Sequence, residues 1–433
     1  MKKYCWLATS LFLLNAISAL LFVIFVNRMV YDDQYNLADV HRYAHEGVSA
    51  NSIRAQINPP GPTGFIWMAL AARIFPADEL RSARVAVLIS WLLLGAGILT
   101  IAARYSRFPL FWYAAFFVTL SFPHAVSATA LVLTEGPALL FGTLGSLLLV
   151  EFLSQPTYSA KLEPLGIAAG VSIGLAITGR QYYLALLPAA ALLALYQWRQ
   201  RSTQARPAWV LPTLLSLMAA GFPVLLLGAV WKGLSSPGMA SGSSYPNWTA
   251  TVGVSFYRPI VAGFYIALYS LPFTFPAMQQ IRPEHRWKAL LAAVLGGFVA
   301  THFMSSLLQP GPFNSLIGML SHANRVQSLS FGLIAGATIY NFVAVSLLLW
   351  EQRAILSSCP EVAFSMLVIV FFVAEQLGVQ GNIPFYDRYV IQLAPFLGII
   401  AFAIAPQLNL ARLLVLGAMS VLGHGMLWRY AFR

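Results

Sequence analysis

Two adjacent acids, Asp32 and Asp33, follow directly on the first hydrophobic segment and open a polar stretch that ends in Asn58-Pro59-Pro60-Gly61-Pro62. The chain holds only 14 acids in 433 residues, so a pair of them at the edge of an apolar run is a costly arrangement. Hydrocarbon offers a carboxylate no solvation, and ionisable groups kept near it usually serve a function. A carboxylate placed beside a polar substrate can take a proton from an attacking hydroxyl, and that is the chemistry expected here. Taken alone, the pair also fits plain solvated acids flanking a helix end.

The residues that follow add weight to the first reading. Asp39, His41, Arg42, Tyr43, His45 and Glu46 come within eight positions of one another. Helical spacing puts Asp39, Arg42, Tyr43 and Glu46 on one face, as in a short interface helix that presents titratable groups to a polar substrate. His41 and His45 stand at i, i+4 and could ligate a cation. No third ligand lies in register, so no cofactor is assigned, and a divalent metal is not excluded. In Asn58-Pro59-Pro60-Gly61-Pro62, proline fixes φ and glycine admits backbone that other residues refuse, so a stiff turn between two interface helices is expected.

Four further features fall on the same side of the expected topology. Thr134-Glu135-Gly136-Pro137 opens an apolar segment with an acid, where a capping or dipole role competes with a substrate role. Thr178-Gly179-Arg180-Gln181 sits between two apolar segments with almost no loop. Its arginine could snorkel to the interface or hold a lipid phosphate in its planar fork. Ser321-His322-Ala323-Asn324-Arg325 and Tyr386-Asp387-Arg388-Tyr389 supply two more arginines, and Asp387 beside Arg388 also fits a weak surface ion pair. Asp39, His41, Arg42, Glu46, Glu135, Gln181, His322, Asp387 and Tyr389 are the substrate-binding candidates. A Ser-His-Asp or Cys-His nucleophile arrangement, a P-loop and a GxGxxG are all missing from the sequence.

The elements that must position these residues are membrane helices. Hydrophobic residues make up 59% and charged residues 9%, against roughly 25% charge in a soluble globular chain. Apolar windows fall near 6–26, 84–103, 109–123, 135–153, 164–178, 182–196, 208–231, 257–278, 289–308, 330–350, 361–377, 389–405 and 411–428. They predict about thirteen spanning helices in one all-α membrane domain, without a soluble domain or clear repeat. The first window is too long for a signal-peptide core and is read as an uncleaved helix.

With Lys2 and Lys3 in the cytoplasm, the inside loops hold Arg104, Arg107, Lys161, Arg199, Arg201 and Arg206, as the positive-inside rule asks. The candidates above then face outside, and residues 27–83 form the first external loop. Within it the apolar segment Pro62–Phe75 is short for a span and suits a helix lying at the interface. The net charge of +12 is scattered over short loops with no basic stripe, which argues for topology signals and against nucleic acid. Cys5 and Cys359 give no disulfide framework or zinc spacing.

At this point the chain resembles a family. Asp32-Asp33-Gln34-Tyr35, His41-Arg42-Tyr43, Glu46-Gly47 and Pro59-Pro60-Gly61 are similar to the first external loop of the GT-C glycosyltransferases. The nearest pattern is that of the α-1,2-glucosyltransferases that add the last glucose to dolichol-linked oligosaccharide. Arg180-Gln181 resembles that family's Arg-Gln motif, and Asp387-Arg388-Tyr389 its late Asp-Asn-Arg region without the Asn. The short loops fit a bacterial or archaeal relative in the cytoplasmic membrane.

The resemblance implies an inverting transfer of sugar from a polyprenyl-phosphate donor to a glycan, glycolipid or protein acceptor at the outer face. Asp32 would be the base with Asp33 as the near alternative, and Arg180, Arg325 and Arg388 would hold the donor phosphate. Two other classes stay in view: a lipid or solute transporter or flippase, and a lipid-linked polysaccharide ligase or polymerase. The first is expected to show internal repeats and charges at mid-membrane. The second would concentrate its polar residues in a late external loop, whereas here the first loop is richest.

Overall fold

The computed structural model describes residues 2–233, 236–238, 250–274, 280–303, 324–381, 387–406 and 410–432. These residues are helical apart from turns and one three-residue antiparallel ladder, Ala250–Val252 on Val379–Gly381, in which Thr251 faces Gln380. Helix α1 (Lys2–Phe25) leads into a loop built from α2 (Asp33–Glu46), α3 (Ala50–Arg54) and α4 (Pro62–Ile74). Then come α5 (Glu79–Tyr105), α6 (Pro109–Ser121), α7 (Pro123–Ser127), α8 (Glu135–Ser154), α9 (Glu163–Gly179), α10 (Leu186–Gln200) and α11 (Arg206–Trp231). The later helices are α12 (Tyr257–Thr274), α13 (Pro283–Phe303), α14 (Asn324–Glu351), α15 (Arg353–Ser358), α16 (Pro360–Glu375), α17 (Ala394–Ile404) and α18 (Leu410–Phe432).

Each apolar window overlaps a helix. Among the described residues six stretches are long and apolar enough to cross a membrane: Glu79–Tyr105, Glu135–Ser154, Ala160–Gly179, Arg206–Trp231, Gly332–Glu351 and Pro360–Gly378. Thr9–Phe25, Pro109–Ser121 and Arg388–Ile404 are apolar and shorter. The chain is therefore a multi-pass membrane protein. Leu13, Leu14 and Ile17 on α1, like Leu211, Met218 and Leu225 on α11, stay exposed on the protein surface, where lipid tails serve them as well as a core would.

Most of the buried apolar residues belong to one continuous core running through the helix bundle. A second, smaller cluster lies under the first loop, where Val40 and Tyr43 of α2 meet Phe65, Met68 and Ala69 of α4 and Ala83, Ala86 and Val87 of α5. Phe65 and Met68 are fully buried there, each worth about 1.5–3 kcal/mol relative to an exposed position. The segment expected to lie at the interface is thus a packed helix of 13 residues, started by Pro62 at its first position. It holds the loop down on α5.

Two glycines set the path of that loop. Gly47 ends α2 with φ at +80°, a conformation that a side chain would strain. Gly61 lies against the end of α9, and a Cβ there would come 2.0 Å from the Thr178 carbonyl oxygen. The close approach brings the Thr63 hydroxyl within 2.7 Å of the Thr178 hydroxyl and lets the Gln181 side-chain amide donate to the Pro59 carbonyl at 2.9 Å. The rigid turn read from the sequence is therefore docked on the Arg180-Gln181 segment.

The helix ends sort into two sides. The C-terminus of α1, the N-termini of α5 and α8 and the C-terminus of α9 meet the first loop. At 27 residues, α5 carries the chain about 40 Å away, to Arg104 at its other end. There the Arg201 guanidinium donates to the Leu153 carbonyl and stacks on Trp209.

Candidate active site

The two neighbouring acids have separate environments. Asp33, the first residue of α2, is wholly buried. Its carboxylate accepts from the Arg84 guanidinium at 2.5 Å, from the Val132 amide at 2.7 Å and from the Val30 amide at 3.1 Å. Arg84 is equally buried and also donates to the carbonyls of Val26 and Arg28. This pair ties the loop to α5 and to the segment before α8. The role of alternative base expected for Asp33 meets a physical obstacle, because a carboxylate so bonded has no free approach to a substrate.

Asp32 sits at the N-cap of α2, where its carbonyl accepts the first helical bonds from Tyr35 and Asn36. Its side chain makes no capping bond. The carboxylate turns instead to Arg388 and keeps 18% of its surface open. An acid serving only to cap its helix would bond to the helix. The preceding Tyr31 holds φ at +55°, a left-handed conformation that costs a non-glycine residue free energy and tends to persist at functional sites. The Tyr31 hydroxyl oxygen accepts from Arg388 at 2.8 Å, and its ring packs on Tyr430 of α18 at 5.0 Å.

Arg388 then connects Asp32 to the rest of the cluster. Its Nε stands 3.8 Å from a carboxylate oxygen of Glu135, the first residue of α8, and the same oxygen pairs with Arg180 at the end of α9. Glu135 is 2% exposed. Glu135 is therefore a buried acid in the first turn of its helix, shared between two arginines. Arg180 keeps its Nε buried and without a hydrogen-bond partner among the described residues. The Arg84 Nε is open in the same way beside Asp33, so what sets Arg180 apart is its place next to Arg388 around the shared Glu135 oxygen. Asp32, Glu135, Arg180 and Arg388, separated by up to 356 residues, thus form one chain of alternating charge.

The other candidates fall around it. Gln181 is engaged with the Pro59 carbonyl, and Tyr389 is buried with its ring 4.6 Å from that of Tyr182. Asp39 is fully buried and works as a clamp. It accepts from Arg42 at 2.8 Å, from the Ile57 and Asn58 amides at 3.1 and 3.0 Å, and from the Asn58 side chain at 2.7 Å. Burial pushes the Asp39 carboxyl above its ordinary pKa, opposed by the bonds from Asn58 and Ile57 and the charge of Arg42. Arg42 also reaches the Ala55 carbonyl.

Asp39 and Arg42, expected to touch substrate, therefore spend their polar groups on holding the loop. Glu46 is exposed at the end of α2, and His41 reaches Glu79 on α5 instead of the cluster. His322 and the side chains of Arg325 and Asp387 lie outside the described residues.

Several participants were not singled out in the sequence. Arg84 could have been found, since an arginine at the start of an apolar span needs a buried partner. Arg258 on α12, nearly fully buried and bonded to Gln376 at 3.2 Å, met the same criterion. Tyr31 carried no signal beyond its position, because a positive φ on tyrosine has no compositional mark.

No protein-family model matches the chain, and no curated protein matches it. Among solved structures the chain is similar to ArnT from Cupriavidus metallidurans bound to undecaprenyl phosphate, at 15% identity and a TM-score of 0.40, over 95% of this chain and 77% of that one. The apo state of ArnT matches at the same identity and score over 99% of this chain and 78% of that one. The archaeal oligosaccharyltransferase AglB from Archaeoglobus fulgidus, in complex with an inhibitory peptide and a dolichol-phosphate, matches at 12% identity and a TM-score of 0.36 over 88% of this chain and 57% of that one.

Proposed function

We propose that the chain is an inverting glycosyltransferase of the GT-C type, which moves a sugar from a polyprenyl-phosphate donor to an acceptor hydroxyl at the external face of the membrane. One observation carries the reading: a partly open carboxylate, Asp32, is held by an arginine that belongs to a buried Glu135–Arg180 cluster at the helix ends. Such a cluster offers a proton acceptor and an anion-binding pair within one side-chain length of each other.

In the reaction the acceptor oxygen attacks the anomeric carbon from the face opposite the phosphate. Its proton passes to the Asp32 carboxylate as the bond between anomeric carbon and phosphate oxygen breaks. The electron pair stays with the lipid phosphate, whose growing charge is stabilised by Arg180 and Arg388. General-base assistance of this kind is worth typically about 10²–10⁴-fold. Fixed guanidinium groups aimed at the leaving oxygen contribute because they need no reorganisation during the step. Arg388 cannot serve Asp32 and a phosphate equally. A bound donor draws Arg388 toward itself and frees Asp32 for the acceptor, so the base is released when the donor is in place. Asp33, Asp39 and Glu135 hold the loop and the arginines.

The test is mass spectrometry of envelope glycolipids and glycans from cells with and without the gene. Loss of one sugar unit, with the unmodified acceptor accumulating, is expected, and an Asp32→Asn copy should fail to restore it. Identical profiles in the two strains would overturn the reading. Solute uptake by vesicles that contain no sugar lipid would replace it with transport.

A further inference from the structure

The two histidines of α2 gain a third partner that the sequence kept distant. His41 Nδ1 lies 3.0 Å from one Glu79 oxygen and 3.1 Å from the other, and His45 Nε2 lies 2.7 Å from Glu79 Oε1. The rings of His41 and His45 face each other with centroids 4.3 Å apart. One donor atom from each of the three residues falls within 4.8 Å of the other two. A tetrahedral zinc with ligands at roughly 2.0–2.1 Å holds its donor atoms about 3.3 Å apart, so small side-chain rotations close the set on an ion.

We propose that His41, His45 and Glu79 form a divalent transition-metal site, with zinc the best fit, that staples α2 to the start of α5. The donor set decides the metal class. Two imidazoles and one carboxylate suit zinc, copper or nickel, whereas magnesium and calcium call for oxygen ligands throughout. The helix supplies the histidines at i, i+4 on one face, and Glu79 comes from the first turn of a different helix. Three protein ligands leave a fourth position for water. His41 and His45 are more than half exposed, so an ion can enter from solvent.

The site is distinct from the Asp32 cluster. It lies about 12 Å along α2 from Asp33, at 1.5 Å per residue. Its position gives it a structural job. Asp33 and Arg84 already fasten the first residue of α2 to α5 in the interior, and the metal would fasten the last turns of α2 to the first turn of α5 at the surface. Without an ion, an imidazole N–H can donate to Glu79, so the contact is weaker but the geometry is kept. The proposal does not depend on sugar transfer.

The experiment uses the full chain in detergent, purified through a histidine-free tag, stripped with chelator, incubated with zinc chloride and desalted. Bound metal is then counted by mass spectrometry. The wild type should retain one zinc per chain, withstand a large excess of magnesium and unfold at a higher temperature than the stripped protein. His45→Ala and Glu79→Gln should both lose the retained zinc while eluting as the same monodisperse species. X-ray absorption of the loaded wild type supplies a readout independent of any variant, with two imidazoles expected in the first shell. Zinc retention no greater than in a His41→Ala/His45→Ala double variant, or a spectrum without imidazole ligands, would overturn the site.

Discussion

Asp32 and Asp33 are the same side chain on adjacent residues, at one helix N-terminus, yet the fold employs them differently. Asp33 is fully buried and takes a guanidinium and two backbone amides. Asp32 keeps part of its surface open and, among the described residues, has one side-chain partner for its carboxylate, Arg388. A saturated carboxylate is a structural tie, since every lone pair lent to the fold is lost to a substrate. A carboxylate with one exchangeable partner can change partners. The number of bonds each acid already makes separates tie from tool, and the same count places Asp39 with Asp33.

The largest effect expected from this contrast is on turnover. Asp32→Asn should lower sugar transfer by about 10²–10⁴-fold while leaving the melting temperature nearly unchanged, measured with the same detergent-solubilised protein. Asp33→Asn should act on stability. Breaking a buried ion pair leaves Arg84 uncompensated and costs about 3–5 kcal/mol, seen as a fall in melting temperature and membrane yield. If Asp33→Asn kept the wild-type melting curve and lost all turnover, the assignment of tie and tool would be reversed.

Arg180 comes next, because it stands beside Arg388 around a shared Glu135 oxygen, whereas Arg84 is spent on Asp33 and two backbone carbonyls. Arg180→Gln should cost about 10²–10³ in kcat by analogy with removing one donor from a developing anion. An equal loss in Arg84→Gln with an unchanged melting curve would erase the distinction between the two arginines. Smaller again is Gly61→Ala, where the new Cβ meets the Thr178 carbonyl at 2.0 Å. Overpacking of this type costs about 1–3 kcal/mol. The loop must lift off α9 to relieve it, so weaker donor binding should accompany the loss of stability. Unchanged donor affinity in that variant would detach the loop from the phosphate site.

The sequence made the helices legible because lipid imposes a hard requirement: every backbone amide needs an internal partner, and apolar windows of sufficient length follow from that. It also marked Asp32, Glu135, Arg180 and Arg388, since charge is scarce in such a chain and each of these sits at a window edge. What it could not decide was partnership. Asp39 and Arg42 look like substrate contacts on a helical wheel, and they turn inward because Ile57 and Asn58 bring their amides back over α2. Glu79 stands 38 residues from His41, and nothing in a linear pattern joins them. Arg84 and Asp33 likewise meet only when α2 lies down on α5. Types of residue were readable, and which acid meets which base was a property of the fold.

The finest test of the contrast lies beside Asp32, at Tyr31. Its hydroxyl oxygen shares Arg388 with the Asp32 carboxylate, and its backbone is held left-handed. Tyr31→Phe removes the hydroxyl and keeps the ring on Tyr430. The lost hydrogen bond is worth about 0.5–1.5 kcal/mol, a change of roughly 2- to 13-fold in the affected step. If Arg388 is the partner that a donor phosphate draws away, loosening it should move the Michaelis constant for the donor and leave the melting temperature within experimental scatter. A fall in stability without a change in donor affinity would mean that Tyr31 braces the loop as Asp33 does. The tie would then extend one residue beyond α2 on its N-terminal side, leaving Asp32 as a single open acid between two structural neighbours.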